Sequence, residues 1–251
     1  MTSQPLTDPQ VASHLARARL HALADMPYLA NALTAMSFHE VNDLGTVGID
    51  ARLRTYVDPV TVMTWTVSQL AGVLIHEANH FLRSHHTRAP EGPWRAHRWN
   101  IAGDLEINDD LVAAGIELPV GALRSEMFSL PDSQTAEWYF DHLPESIDDH
   151  PVCCGSGCTG VIMPWEVGES GRGIGLSRAA SIVEEVAEAI KNSPAGSVPA
   201  GLRRWAEASR AEVPWNTVLR RVVRQAVAQA AGHSDYSWST PNRRYRGKVI
   251  L

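Results

Sequence analysis

Apolar residues recur at helical spacing over residues 9–37 (Val11, Leu15, Leu20, Leu23), with Pro27 placed to interrupt or restart the helix. From Leu44 the texture changes. Residues 46–50 (TVGID) and 54–57 (RTYV) are short β-rich runs bounded by Gly45 and Asp58-Pro59, and they predict a small antiparallel pair. Val60 to Arg83 reads as one long helix, with Trp65, Leu70, Leu74 and Ile75 on its apolar face. After a turn at residues 89–93 (APEGP), Trp94 to Ala114 reads as helix again, with Gly115 as its C-terminal stop. Residues 116–134 look irregular, and Ser133 is placed to cap a short helix over Thr135–His142. A Gly- and Pro-rich loop spans 143–176. Ser177–Asn192 then forms a clean amphipathic helix with Ala180, Ile182, Val183, Val186 and Ile190 inward, and helices near 201–210 and 214–231 follow.

The pattern predicts an α+β protein, mostly α, with a small antiparallel sheet near the start and additional C-terminal helices. A single domain over 1–251 is expected, with a core of about 9–143, a Gly/Cys loop at 144–176 and a C-terminal helical part at 177–251. At 251 residues and 44% hydrophobic content, the chain can bury a full core without disulfides or structural metals. A net charge of −6 argues against a general nucleic-acid binder, despite the basic run Arg243, Arg244, Arg246, Lys248. No apolar run approaches the roughly 20 residues a membrane span needs, and the first residues lack the pattern of a secretory leader. Cys153, Cys154 and Cys158 are an odd, clustered set that suits a reducing cytoplasm better than a disulfide framework.

The strongest chemical signal is His76-Glu77-Ala78-Asn79-His80, an H-E-x-x-H on the long predicted helix. Residues four apart share a helix face, so both imidazoles can reach one metal ion, with Zn²⁺ the expected ion. Glu77 lies about 100° round from His76, beside such an ion rather than on it, where it can take a proton from water. By composition alone this motif is expected roughly 0.03 times in such a chain.

Two histidines leave a catalytic site short of a third protein ligand. Asp104 lies 24 residues after His80 in a helix where Asn100, Asp104 and Asn108 stack at successive turns; Ala102 and Gly103 beside it would let two helices pack closely. His86 lies ten residues after His76, but Arg83 stands where a glycine would break the helix, so His86 should continue on that helix and point away. Glu106 sits on another face of the Asp104 helix. The bland alternative for Asp104 is a carboxylate that only hydrogen-bonds a ligand histidine. Elsewhere, His150 with Cys153, Cys154 and Cys158 lacks the spacing of a structural zinc site, and the GSGCTG segment reads as a glycine-rich turn or a loop over a cleft. Residues 171–175 lack the Lys-Ser/Thr ending of a phosphate loop.

These segments together resemble a bacterial metallopeptidase-like family in which an N-terminal peptidase domain precedes a von Willebrand factor A-like domain. The resemblance rests on LAGVLIHEANHFLRSHH, WNIAGDLEIN, LPVG, TAEWYFDHL, CGSGCTG with Pro164-Trp165-Glu166, VPWNTVLRR and STPNRR, in that order between about 45 and 246. It implies a zincin-type, gluzincin-like fold with His76 and His80 as ligands and Glu77 as the base. It also supports Asp104 as third ligand and implies an A-like domain or partner protein beyond this chain. The expected function is zinc-dependent hydrolysis of a peptide or protein substrate. The rival is a catalytically inactive metal-binding interaction module. Tyr56, Arg95, His97 and Tyr139 are residue types that could stabilise an oxyanion, and the strand at 46–50 is placed to align an extended peptide by main-chain hydrogen bonds.

Overall fold

The computed structural model describes residues 3–90, 93–144, 147, 155–168 and 173–209. The chain divides into Met1–Arg210 and Ala211–Leu251. The second part, with the helix expected at 214–231, the VPWNTVLRR and STPNRR segments and the basic run, lies outside the described residues, as do His150, Cys153 and Cys154.

A two-residue strand β1 (Gln4–Pro5) precedes α1 (Pro9–Asp25). Asp8 starts the helix by accepting from Gln10 N (2.7 Å) and Val11 N (3.4 Å), and Pro9 fills a position whose N–H has no helical acceptor. The interruption expected at Pro27 is present: a 3₁₀ turn over Pro27–Leu29 leads into α2 (Ala30–Ala35).

The chain then enters β2 (Ser37–Glu40), a strand the hydrophobic pattern does not announce. The expected antiparallel pair is present as β3 (Val47–Ile49) and β4 (Arg54–Val57), with Gly48 opposite Tyr56. The sheet is nonetheless four-stranded and mixed, in the order β1-β2-β4-β3, because β2 runs parallel to β4 with Phe38 opposite Thr55. Parallel pairing needs an intervening chain reversal. Here β3 supplies it, and local alternation cannot reveal it.

Asp58 caps a single turn, α3 (Pro59–Val62). The long helix expected from Val60 is in fact broken at 63–66. Thr66 Oγ1 accepts from Gln69 N, and Gln69 Oε1 accepts from Thr66 N, both at 3.1 Å. This reciprocal capping box starts a separate helix, α4 (Val67–Leu82). Leu70, Leu74, Ile75, Ala78 and Leu82 of α4 are fully buried in the main core, with Leu15, Ala18 and Ala22 of α1, Val47 and Ile49 of β3, and more C-terminal helices. That burial orients α4, and the histidine face is left pointing the other way.

Ser84 adopts a left-handed conformation (φ 53°) and separates α4 from α5 (His85–Arg88). Next comes α6 (Pro93–Ala113), ended as expected by Gly115 at φ 74°. A 3₁₀ turn covers Ser125–Phe128. Thr135, not Ser133, caps α7 (Ala136–His142), because Ser133 sits at φ 62°, outside the extended region an N-cap needs. Ile101 and Leu105 of α6 pack on Tyr139 and Leu143 in a second small core.

The GSGCTG segment forms a short helix, α8 (Ser156–Thr159), rather than a turn or a cleft loop. It covers the Ile49 end of β3, and glycine is required there. A Cβ on Gly155 would stand 2.4 Å from Ile49 O, and one on Gly157 would stand 2.9 Å from it. Finally, α9 (Leu176–Lys191) buries Ile182, Val186, Ala187 and Ile190 and leaves Ala180 exposed, and α10 (Ala200–Ala208) follows. The described residues are mostly helical with a small sheet, and no helix among them is long and apolar enough to cross a membrane.

Candidate metal centre

His76 and His80 lie one turn apart on α4, and Asp104 faces them from α6. His80 Nε2 is 2.9 Å from His76 Nε2 and 3.0 Å from Asp104 Oδ1; His76 Nε2 is 3.4 Å from the same oxygen. One ligand atom from each residue lies within 4.8 Å of the other two. Ligands at 2.0–2.1 Å around one tetrahedral zinc stand about 3.3 Å apart, so the cluster has the size to hold such an ion. His80 is fully buried, while the His76 and Asp104 side chains keep 11% and 15% of their surface open.

That opening is a cleft of about 320 Å³ between α4, α6 and the 118–123 segment, with Thr46 at its rim. Glu77 and Asn100 also line it. Two of their atoms, Glu77 Oε2 and Asn100 Oδ1, are buried without a hydrogen-bond partner. A buried polar atom left unpaired costs on the order of 1–3 kcal/mol, and more when charged. Such atoms beside three convergent ligand-type groups fit a site built to receive a cation and a polar molecule.

Electrostatics point the same way. Burial pushes the His80 imidazole down to about 3, which favours the neutral, ligating form. Burial also works against ionisation of Asp104. Close contact with the His76 and His80 imidazoles outweighs it and holds that carboxyl well below the usual carboxylate range. Glu77 moves the opposite way: burial pushes it up to about 8, with His76 opposing and Asp104 adding to the shift.

Each imidazole is gripped at its other nitrogen. His76 Nδ1 is 2.8 Å from Asn108 Oδ1, and Asn108 Nδ2 donates to Leu123 O at 2.9 Å. His80 Nδ1 is 2.9 Å from His85 Nδ1, and His85 Nε2 is 3.3 Å from Glu106 Oε2. His85 is held by α6, since Trp99 Nε1 donates to its carbonyl at 3.0 Å. Close helix approach depends on Gly103, where a Cβ would stand 2.7 Å from His85 Nδ1. Glu106 is clamped by Arg83 (3.0 Å), Arg88 (3.3 Å) and the Ala136 N–H (2.9 Å), and Arg83 also binds Asp110 at 2.5 Å.

The structure therefore brings together His76, Glu77, His80 and Asp104. It does not bring His86 or Glu106 into the cluster. The helix does break after Arg83, contrary to expectation, yet His86 lies on α5 beside the end of α8, where a Cβ on Gly160 would stand 2.7 Å from the His86 carbonyl oxygen. Glu106 sits behind His80, beyond His85. The part played by His85 has one signal in the sequence, its place in the Ser84-His85-His86 run directly after the motif helix. Of the residues weighed for oxyanion binding, Tyr56 donates to Asp50 (2.9 Å), Tyr139 donates to Pro131 O (2.8 Å) and His97 Nε2 bonds Ile147 O (3.1 Å). Neither these three nor Arg95 lines the cleft.

A His-His-Asp group on two packed helices that could hold a metal ion defines the class of site, and comparison with known proteins names the family. Residues 10–250 match the family described as "Putative metallopeptidase domain", and the chain belongs to it. No curated protein and no solved structure matches the chain.

Proposed function

We propose that the protein is a zinc-dependent peptidase in which His76, His80 and Asp104 hold the metal and Glu77 is the general base. One observation carries the reading. Three ligand-type atoms converge at 2.9–3.4 Å beside an unpartnered, buried Glu77 oxygen in an open cleft. When bound, zinc would supply a Lewis acid that polarises a carbonyl and makes a nearby water more acidic. A dication among its neighbours also favours the Glu77 carboxylate over its neutral acid. Glu77 then takes a proton from the attacking water and gives it to the leaving amine. Asn100, on the same wall, offers its amide to the substrate main chain. Peptide entering along the sheet edge would run past Thr46 and Val47, since α8 covers the Ile49 end. The reading includes a cytoplasmic location, supported by the clustered, odd-numbered cysteines.

The test is elemental analysis of the protein followed by a peptide-library cleavage screen. About one zinc per chain with cleavage lost in Glu77→Gln is the expected result. Zinc at full occupancy with a stoichiometric protein partner and no turnover would replace this reading with a binding module. No zinc, even after supplementation, would remove its basis.

A further inference from the structure

We propose that Glu106 and His85 are positioning residues that set which nitrogen of His80 faces the metal position. The inference rests on the metal reading above and concerns residues outside the proposed ligand set.

The argument follows the direction of each hydrogen bond. Glu106 is held by two arginines and a backbone N–H, which keep it ionised and therefore an acceptor only. His85 Nε2, 3.3 Å away, must be the donor. Neutral His85 then has a lone pair at Nδ1. The only hydrogen bond that His80 Nδ1 can make to it, at 2.9 Å, is as an N–H donor. Neutral His80 is left with its lone pair on Nε2, the atom 3.0 Å from Asp104 Oδ1 and 2.9 Å from His76 Nε2. Asn108 does the same for His76 in one step. Its Nδ2 is committed to Leu123 O, so its oxygen faces His76 Nδ1 and leaves Nε2 free to ligate.

Two consequences follow. The negative end of the chain makes the His80 ring a stronger electron donor, as carboxylates behind metal-bound histidines do. The chain also crosses three elements, α4, α5 and α6, so the ring is oriented by tertiary structure rather than by its own rotamer. Gly103 is what permits the approach.

The experiment uses the full chain loaded with Zn²⁺ or Co²⁺. Zinc affinity is measured by competition with a chromophoric chelator for the parent, His85→Ala, His85→Asn and Glu106→Gln. The Co²⁺ d–d absorption band and ¹⁵N-histidine spectra are recorded alongside. His85→Ala is expected to bind zinc about 10–100-fold more weakly with a shifted Co²⁺ band. Asn places an acceptor where His85 Nδ1 stood, so His85→Asn should recover much of that loss. Glu106→Gln, nearly isosteric, should weaken binding less while shifting the same band. In the zinc-loaded parent, scalar coupling across the His80 Nδ1–H to His85 Nδ1 hydrogen bond is expected, and it should disappear in His85→Asn.

Parent-like affinity and an unchanged Co²⁺ band in both His85→Ala and Glu106→Gln would overturn the relay and leave the metal reading intact. So would a zinc-loaded parent with His80 protonated at Nε2. A parent that binds no zinc would overturn the metal reading itself. Should His85→Ala fail to fold, Glu106→Gln and the parent spectrum decide the matter alone.

Discussion

Asp104 Oδ1 lies 3.0 Å from His80 Nε2, although 24 residues separate the two in the chain. The contact exists because α6 packs against the histidine face of α4 while the opposite face of α4 is buried in the main core. If the two residues share one metal with His76, Asp104→Ala and His76→Ala should each lose zinc. Elemental analysis after dialysis against a weak chelator checks this. Full occupancy in Asp104→Ala would move the third ligand elsewhere and return Asp104 to a supporting role.

Glu77→Gln separates base from ligand. The substitution keeps the shape of the side chain and removes its ability to accept a proton. Zinc content should stay at the parent level while hydrolysis falls by about 100-fold or more. Parent-like turnover in this variant would exclude Glu77 as the base.

The same carboxyl predicts a pH effect in the metal-free protein. Burial raises Glu77 from 4.5 to about 8, so between those values the folded chain holds a proton that the unfolded chain releases. Its contribution to stability is therefore fully present below about pH 4.5 and is lost as pH rises toward 8. In the presence of a chelator, Glu77→Gln should melt higher than the parent, with a gap that widens from pH 6 to pH 8. Thermal melts across that range test it, and a gap independent of pH would contradict the assignment.

Gly103→Ala places a methyl group 2.7 Å from His85 Nδ1 and 3.4 Å from His80 Cε1. Overpacking of this kind costs about 1–3 kcal/mol. Here it should also weaken zinc binding, because α6 carries Asp104 away from α4 as it yields. Ala102→Gly, one position earlier on the same helix, serves as a control for helix propensity. Equal zinc affinity for Gly103→Ala and the parent would show that the helix spacing is not set at this residue.

Arg83 sits between Glu106 and Asp110 with its side chain 1% exposed. Arg83→Met leaves two buried carboxylates facing each other without their shared cation. The expected loss is about 3–5 kcal/mol, read by chemical denaturation at pH 7. It should shrink at low pH, where the orphaned Glu106 carboxyl takes up a proton. A loss below 1 kcal/mol would mean that Arg88 and the Ala136 N–H suffice for Glu106.

Much of the fold and half of the candidate site can be read from the chain alone, because those features depend on local periodicity. His76, Glu77 and His80 fall on one helix at a spacing that dictates a shared face, and the heavy apolar content of residues 70–75 dictates that this helix is buried. Strands β3 and β4 are joined by a tight turn and carry their own alternation. Asn100, Asp104 and Asn108 follow from the same arithmetic as a stripe on one helix. Other features are set by contacts between distant segments. β2 is four residues long and parallel to β4, so nothing local marks it. The break at 63–66 depends on a reciprocal pair of hydrogen bonds between Thr66 and Gln69. Whether Asp104, Glu106 or His86 joins the cluster depends on the angle and distance between α4 and α6 and on the left-handed Ser84 that turns α5 aside. The link from Glu106 through His85 to His80 spans three elements. Periodicity can say which face of a helix a residue occupies, but only packing says what that face meets.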